Sequence, residues 1–232
     1  MDKEYLIHQR PMRALFTFAL PMMIGNLFQQ FYNMADSVVV GRFVGESALA
    51  AVGASYSLTN VFISIAIGGG VGASVVTSRY FGARNYGKMK RSVSTALLSF
   101  LALSVLLGGV GLFFSEEIMR LLNTPADILD TAAEYLDIYF MGLPFLFLYN
   151  VLSAMFNALG RSRIPLYLLI FSSVFNVGLD LFMVCVLHMG VAGAAWATLI
   201  AQGISAVLSF LIFLREMKSY KSDRQPLFDG GE

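Results

Sequence analysis

The chain has 232 residues, of which 57% are hydrophobic and only 13% are charged, whereas soluble globular domains carry about 25% charged residues. This composition, with a mean hydropathy of +0.69, excludes an ordinary soluble domain. A formal net charge of +1 gives no positive field for nucleic acid, so a nucleic-acid partner is excluded as well. One cysteine and two histidines disfavour a disulfide scaffold and a zinc site.

Six apolar stretches follow one another along the chain, each bounded by polar or charged residues. They cover residues 14–40, 48–78, 92–114, 132–157, 163–187 and 191–214. Each is long enough to cross about 30 Å of hydrocarbon, which takes roughly 20 residues of helix. The sequence therefore predicts an all-α integral membrane protein, with six transmembrane helices in residues 1–214 and a polar tail in residues 215–232.

The positions of the cations predict the orientation of these helices. Of the 16 lysines and arginines, all but two lie before helix one, in the second-to-third and fourth-to-fifth connections, or in the tail. The exceptions are Arg42 and Arg120. Because cytoplasmic loops carry an excess of Lys and Arg, both termini are predicted to be cytoplasmic.

The connection between helices three and four, residues 114–137, is acidic and has Leu and Ile at helical spacing. It is predicted to form a short amphipathic helix on the outer surface, with a turn at Thr124–Pro125. Its carboxylates are interpreted as a solvated face rather than as a cation-collecting site.

Polar side chains inside the apolar stretches are the candidates for function, because a carboxylate near the middle of a membrane helix costs roughly 2.5–3.5 kcal/mol. The two such acids are Asp36 in helix one and Asp180 in helix five. On helix five, Asn176 lies one turn before Asp180, so both side chains face the same place. On helix one, steps of three and four residues place most of a polar series on one face, which consists of Asn26, Gln29, Gln30, Asn33 and Asp36.

The depths of three polar residues agree with one another. Asp36, Asp180 and Thr198 in helix six each lie within roughly 10 Å of the predicted outer boundary, at about 1.5 Å per residue. We therefore expect them to share one layer with Asn176. Such a group can exchange a proton, or it can hold a small hard cation with its carboxylate, amide and hydroxyl oxygens.

Four ordered segments together resemble the multidrug and toxic compound extrusion (MATE) family over nearly the whole chain. They are PMMIGNLFQQFYNMADSVVVGRFVGESALAAVG, SRYFGARNYGKMKR, LLNTPADILDTAAEYLDIYFMGLP and FNALGRSRIPLY. The resemblance implies a twelve-helix transporter built from two six-helix lobes, and this chain is similar to the N-terminal lobe. We therefore expect the tail to be the start of an inter-lobe linker, and the partner to be a missing C-terminal lobe or a second copy.

The resemblance also implies roles for individual residues. It assigns coupling to protons or cations to five residues: Asp36, Asp180, Asn176, Asn150 and Thr198. Of these, Asn150 rests on the resemblance alone. Na⁺ is possible at Asp36, Asn176, Asp180 and Thr198. The family's helix-one proline matches Pro21, a candidate hinge. Candidate residues of the substrate cavity are Gln29, Asn33, Tyr32 and Tyr139, with Phe28, Phe147 and Tyr149 as further aromatic linings.

The implied function is secondary active efflux of multiple drugs or organic cations through the plasma membrane, by antiport with H⁺ or Na⁺. The expected substrates are small lipophilic or cationic compounds, and neither enzymatic activity nor a cofactor is expected. Two alternatives stand beside this function. One is a flippase for lipid-linked oligosaccharides of the same superfamily, and the other is a membrane subunit that does not itself transport.

Overall fold

The computed structural model describes residues 11–220, which form six long helices joined by short connections. In chain order they are α1 (Pro11–Phe43), α2 (Glu46–Gly82), α3 (Tyr86–Leu121), α4 (Leu129–Ala158), α5 (Arg163–Asp180) and α6 (Gly190–Ser219). Helix α5 continues directly into a π-helical turn, Leu181–Val186. No strand occurs in residues 11–220, and the prediction of an all-α fold is confirmed.

Local signals in the connections end one helix and start the next. Gly45, between α1 and α2, has a φ of 124°, which glycine adopts at little cost because it lacks a Cβ. Between α2 and α3, the Asn85 side chain caps the new helix by accepting a hydrogen bond from the Lys88 backbone N at 3.1 Å. Such short connections make helices that follow one another in sequence run antiparallel.

Five helical segments among residues 11–220 are long and apolar enough to cross a membrane: α2, α3, α4, α5 with its π-helical turn, and α6. Helix α1 has 33 residues, or about 50 Å of helix, but it falls outside this group. The polar series between Asn26 and Asp36 lowers its hydropathy. Helix α1 therefore needs protein partners for its polar face.

Helix α4 lies at the centre of the bundle, where it packs against α2, α3 and α6. Helix α3 approaches α4 closely because Gly108 and Gly111 face Phe140, where a side chain would overlap existing atoms. Helix α5 packs between α1 and α6 and touches α4 only slightly. As a result, α1 lies at the edge of the bundle and is held mainly by α5.

The two ends of the bundle differ in charge. We call the end with the α2–α3 and α4–α5 connections the cation-rich end, and the opposite end the cation-poor end. At the cation-rich end, the buried Lys90 Nζ donates to the Tyr220 carbonyl at 2.9 Å, and Arg161 pairs with Glu216 at 3.1 Å. Burial and the Glu216 carboxylate raise the pKa of Tyr220 to about 12. These contacts fix the end of α6 against its neighbours.

The connection between α3 and α4 agrees with its prediction in part. The backbone of Phe114 is non-helical, so α3 consists of two helical segments joined by a kink, and residues 115–121 form the short segment beyond it. Helix α4 then begins at Leu129, and the turn that contains Thr124–Pro125 is present. The predicted surface segment is therefore helical in residues 115–121, and its later residues form the turn and the start of α4.

The other helix bounds follow the apolar stretches closely. The fifth stretch corresponds to α5 and its π-helical turn together, and α6 runs on to Ser219, into the segment predicted as tail. Residues 1–10 and 221–232 lie outside the described residues. Most of the predicted tail and the cations Lys3, Arg10, Lys221 and Arg224 belong to these two segments.

Candidate functional site

Two carboxyl groups meet inside the bundle, towards its cation-poor end. Asp36, in the last third of α1, and Asp180, the last residue of α5, lie beside each other, close enough for their side chains to interact. Asp180 is fully buried. Because a carboxylate only accepts hydrogen bonds, two neighbouring carboxyl groups can bond each other only through a shared proton. Helices α1 and α5 are thus joined by a group whose charge can change.

Asn176 and Thr198 extend this pair into a network. When the Asn176 side-chain amide is oriented so that both its nitrogen and its oxygen have hydrogen-bond partners, Nδ2 donates to Asp180 Oδ2 at 2.9 Å. Asn176 Oδ1 then accepts from the Thr198 backbone N and Oγ1, at 3.1 and 3.3 Å. Thr198 Oγ1 lies 3.4 Å from Tyr32 Oη on α1. We call Asp36, Asp180, Asn176, Thr198 and Tyr32 the acid network, and it links α1, α5 and α6.

Two oxygens of the acid network have no hydrogen-bond partner among the described residues, Asp36 Oδ1 and Asp180 Oδ1. A buried carboxylate oxygen without a donor is costly, so the site favours uptake of a proton or a cation. Residues 11–220 contain no group of three or more His, Cys, Asp or Glu suited to a metal ion. A hard cation here would therefore need the amide and hydroxyl oxygens of Asn176 and Thr198 as well.

Sequence reasoning missed two features around the acid network. Tyr135 on α4 lies close enough to both carboxyl groups to interact with their charges, although it was not among the predicted site residues. The sequence signal that could have identified Tyr135 is its position one helical turn before Tyr139.

The π-helical turn directly after Asp180 was also missed. Such turns occur often at functional sites, but no pattern in Leu181–Val186 distinguishes it from an α-helix.

A cavity of about 50 Å³ adjoins the acid network between α1, α4, α5 and α6. Its polar lining includes Gln29, Tyr32, Tyr149, Asn176, Thr198 and Gln202. A water molecule needs at least about 10–15 Å³, so the cavity has room for a few waters. Sites for drug-sized ligands measure roughly 300–1,000 Å³, so this cavity does not have the size of a drug site.

The predicted residues of the substrate cavity fall into two groups. Gln29 and Tyr32 line the cavity of about 50 Å³, and Gln29 Nε2 donates to Asn33 Oδ1 at 3.2 Å. Tyr139 lines a separate cavity of about 20 Å³ and donates to the Thr59 carbonyl on α2 at 3.1 Å. The four residues therefore do not surround one common space within this bundle.

Other predicted residues lie apart from the acid network. Asn150 Nδ2 donates to the Leu146 carbonyl of its own helix at 2.8 Å. Pro21 is buried within α1, four turns before Asp36, and the helix continues through it. Phe147 is fully buried in the core around α4, and Phe28 is exposed on α1. Phe28 and Phe147, which were predicted to line one substrate cavity, therefore lie in different environments in this structure.

A bundle of six long helices, five of them apolar enough to span a membrane, with two neighbouring acids between α1 and α5, defines a multi-pass membrane protein. The chain belongs to the MatE family. The family model matches residues 21–182, a range that includes Asp36, Asn176 and Asp180 and ends before Thr198. The family resemblance seen in the sequence is therefore confirmed.

Curated relatives match almost the whole chain. It is 34% identical over 212 residues to "Probable multidrug resistance protein YoeA" of Bacillus subtilis, which covers 89% of this chain and 45% of the relative. The multidrug export protein MepA of Staphylococcus aureus is 28% identical over 213 residues, which covers 91% of this chain and 47% of MepA. The chain spans about half the length of the curated relatives it matches. MepA is named as an export protein, and YoeA is named as a probable multidrug resistance protein.

Solved structures match equally well. The crystal structure of MATE in complex with MaL6 has a TM-score of 0.90 and 26% identity, and the match covers all of this chain and 51% of that one. An outward-facing conformation of a multidrug resistance MATE family transporter has a TM-score of 0.88, covering 95% of this chain and 49% of that one. The six helices therefore have the fold of one lobe of a MATE transporter, as the sequence predicted.

Proposed function

We propose that this chain is the ion-coupled lobe of a secondary active exporter, which moves drugs or organic cations out of the cell in exchange for H⁺ or Na⁺. The observation that carries the proposal is the contact between Asp36 and Asp180 inside an apolar bundle. Ionisable residues inside a membrane are costly and mark ion and proton pathways. The names of the relatives, which are drug resistance and export proteins, support the substrate class.

The charge of the acid pair controls how α1 packs against α5. While a proton or cation is shared, the two carboxyl groups hold the helices together, and when both are ionised they repel each other. Helix α1 responds because it lies at the edge of the bundle, with α5 as its main neighbour. Pro21 removes one backbone hydrogen bond and makes α1 easiest to bend there. Ion exchange thereby shifts the balance between outward-open and inward-open packings.

The substrate site lies between this lobe and a second one. The cavity next to the acid network is too small for a drug, and the solved relatives contain about twice this length of chain. The second lobe is either the other half of a longer protein or a second copy of this chain. Lipophilic cations suit a cleft with aromatic residues such as Tyr32 and Tyr139 through cation–π contact. We expect Asn150 to join the ion site in a different conformation of the transporter, in which the helices pack differently.

The membrane potential supplies part of the energy. We place the protein in the plasma membrane with its cation-rich end in the cytoplasm. One charge crossing about 100 mV contributes about 2.3 kcal/mol, and each 1.4 kcal/mol corresponds to about a tenfold ratio. A single charge moved per cycle therefore supports roughly a fiftyfold substrate gradient.

The test is transport of ethidium, a fluorescent lipophilic cation, by the full chain in liposomes under an imposed H⁺ or Na⁺ gradient. Asp36→Asn and Asp180→Asn should each reduce gradient-driven efflux at least tenfold, because an amide cannot exchange a proton or charge-balance a cation. Glu117→Gln, which alters an exposed carboxylate at the end of α3, is the matched control and should transport normally. Efflux that persists in both Asp variants contradicts the proposal, and efflux that is absent from the unmodified chain contradicts a second copy of this chain as the second lobe.

A further inference from the structure

A second polar feature extends from the acid network along the interface between α5 and α6. The polar residues of α6 recur at intervals of four, three and four residues, which places them on one face: Thr198, Gln202, Ser205 and Ser209. On α5, Ser173 lies one turn before Asn176 on the same face. The two faces meet, since Ser173 and Ser205 line the same cavity as Asn176 and Thr198. We call Ser173, Ser205 and Ser209 the serine path.

The hydroxyl groups of the serine path have no hydrogen-bond partner among the described residues. All three side chains are buried, with exposures of 9%, 1% and 0%. A buried serine in a helix usually donates to the carbonyl three or four residues earlier, as Ser55 and Ser104 do in this protein at 3.1 and 2.7 Å. Buried hydroxyls that lack such a bond are normally satisfied by internal water.

The cavity provides space for that water. Its volume of about 50 Å³ is enough for about three water molecules. It reaches from Asn176 and Thr198 in the acid network to Ser205. Ser209 lies one turn further along α6, so the polar face extends about 16 Å from Thr198 towards the cation-rich end. Residues that only join helices would be hydrogen-bonded to each other and would leave no such space.

We propose that water in this cavity, continued by Ser205 and Ser209, forms a proton path between the acid pair and the cation-rich end of the bundle. The proposal rests on the proposed function, in which Asp36 and Asp180 exchange an ion. The carboxyl O–H bond breaks and its proton passes to a neighbouring hydroxyl or water, which releases one of its own protons to the next. Both carboxyl groups are left as carboxylates, and one proton leaves at the far end.

The groups around the acid pair are compatible with such a relay. Tyr32 on α1 and Tyr135 on α4 are the titratable side chains beside the two acids, and α6 contributes the Thr198 hydroxyl. Tyr32 and Thr198 both line the cavity, and a hydroxyl can accept one proton while it donates another. At the cation-rich end, beyond Ser209, the nearest ion pair on α6 is the one between Arg161 and Glu216.

Water in the path is tested without any transport measurement. In a Cys185→Ala background, which removes the chain's single cysteine, Ser205→Cys and Ser209→Cys are reconstituted in liposomes and exposed to Ag⁺, a small thiol-reactive ion. Thiols that have not reacted are then counted with a maleimide after unfolding. Ser104→Cys is the matched control, because Ser104 is fully buried and its hydroxyl bonds its own helix. Both path thiols should react at least tenfold faster than the control, and equal rates would overturn the proposal.

The role of the path in proton movement needs a second measurement. Ser205→Val removes the hydroxyl and fills part of the cavity. The ratio of H⁺-driven ethidium efflux to ethidium–ethidium exchange, which needs no net ion movement, should fall about tenfold, while Ser104→Ala leaves it unchanged. A ratio that stays constant in Ser205→Val contradicts the path. A different result would show that the proposed function itself is wrong: gradient-driven efflux would then persist in the Asp36→Asn variant.

Discussion

Replacing Asn176 by alanine tests whether the acid network is a real hydrogen-bonded unit. Asn176 is 1% exposed, and it connects Asp180 on one side with Thr198 on the other. The substitution removes the donor to Asp180 Oδ2 and the acceptor for two groups of Thr198. It also leaves a carboxylate oxygen buried without a donor, which is costlier than losing a neutral hydrogen bond.

The expected loss of stability follows from these three bonds. Side-chain hydrogen bonds between membrane helices contribute about 0.6 kcal/mol on average and about 1.7 kcal/mol at most. With the bond to Asp180 near the maximum and the two bonds to Thr198 near the average, the sum is about 3 kcal/mol. Water from the adjacent cavity can replace part of this, so we expect a loss of about 2–3 kcal/mol.

The assay is thermal unfolding of the purified chain in detergent, followed by circular dichroism. For a chain of this size, 1 kcal/mol corresponds to about 2–4 °C, so the midpoint of Asn176→Ala should fall by about 4–12 °C. The matched control is Asn157→Ala on α4, which removes an amide whose Oδ1 has no partner among the described residues. If the two variants lose the same stability, the network around Asn176 does not contribute as described and the reasoning is refuted.

Two further substitutions test the packing and the network. Gly111→Ala places a Cβ against the buried ring of Phe140 and should cost about 1–3 kcal/mol, whereas Gly109→Ala, with no atom within 4 Å of its Cβ, should be neutral or slightly stabilising in the same unfolding assay. Thr198→Val keeps the shape but removes the hydroxyl near Tyr32, so gradient-driven ethidium efflux should slow several-fold while the unfolding midpoint changes by only a few degrees. Thr198→Ser should keep most of the efflux, and an equal loss in both Thr198 variants would argue against a role for the hydroxyl.

The helices were predictable because the apolar stretches are long and sharply bounded. Polar or charged residues bound each stretch, and two of the connections turn at Gly45 and Asn85. Between α3 and α4, the sequence did not predict where one helix ends and the next begins. Leu and Ile at helical spacing look the same in a surface helix and in the extension of a long helix. The kink at Phe114 and the start of α4 at Leu129 set these bounds in the structure.

The meeting of Asp36, Asp180, Asn176 and Thr198 also followed from simple rules, namely helical spacing and depth along each span. The structure places these four residues together, and their role in ion coupling remains a proposal. The serine path did not follow from such rules. Serines are common in membrane helices, and whether a hydroxyl bonds its own backbone or faces a cavity depends on how α5 and α6 pack.

Asn150 shows the limit of assignment by family resemblance. The family position and the residue type agree, yet the side chain bonds the Leu146 carbonyl of its own helix. On α4, the residue beside the two acids is Tyr135, and Asn150 lies 15 residues, or about 22 Å, further along that helix. The role that the family resemblance gives Asn150 therefore remains a proposal.

A double-mutant cycle with Asp36→Asn and Asp180→Asn, measured as the free energy of unfolding at neutral pH, tests most directly whether the two acids form one site. Residues in contact show coupling free energies of about 0.5–3 kcal/mol, whereas distant residues add to within about 0.3–0.5 kcal/mol. We predict that the two effects are non-additive by more than about 0.5 kcal/mol. Strict additivity would mean that Asp36 and Asp180 act independently, and it would contradict a shared ion site.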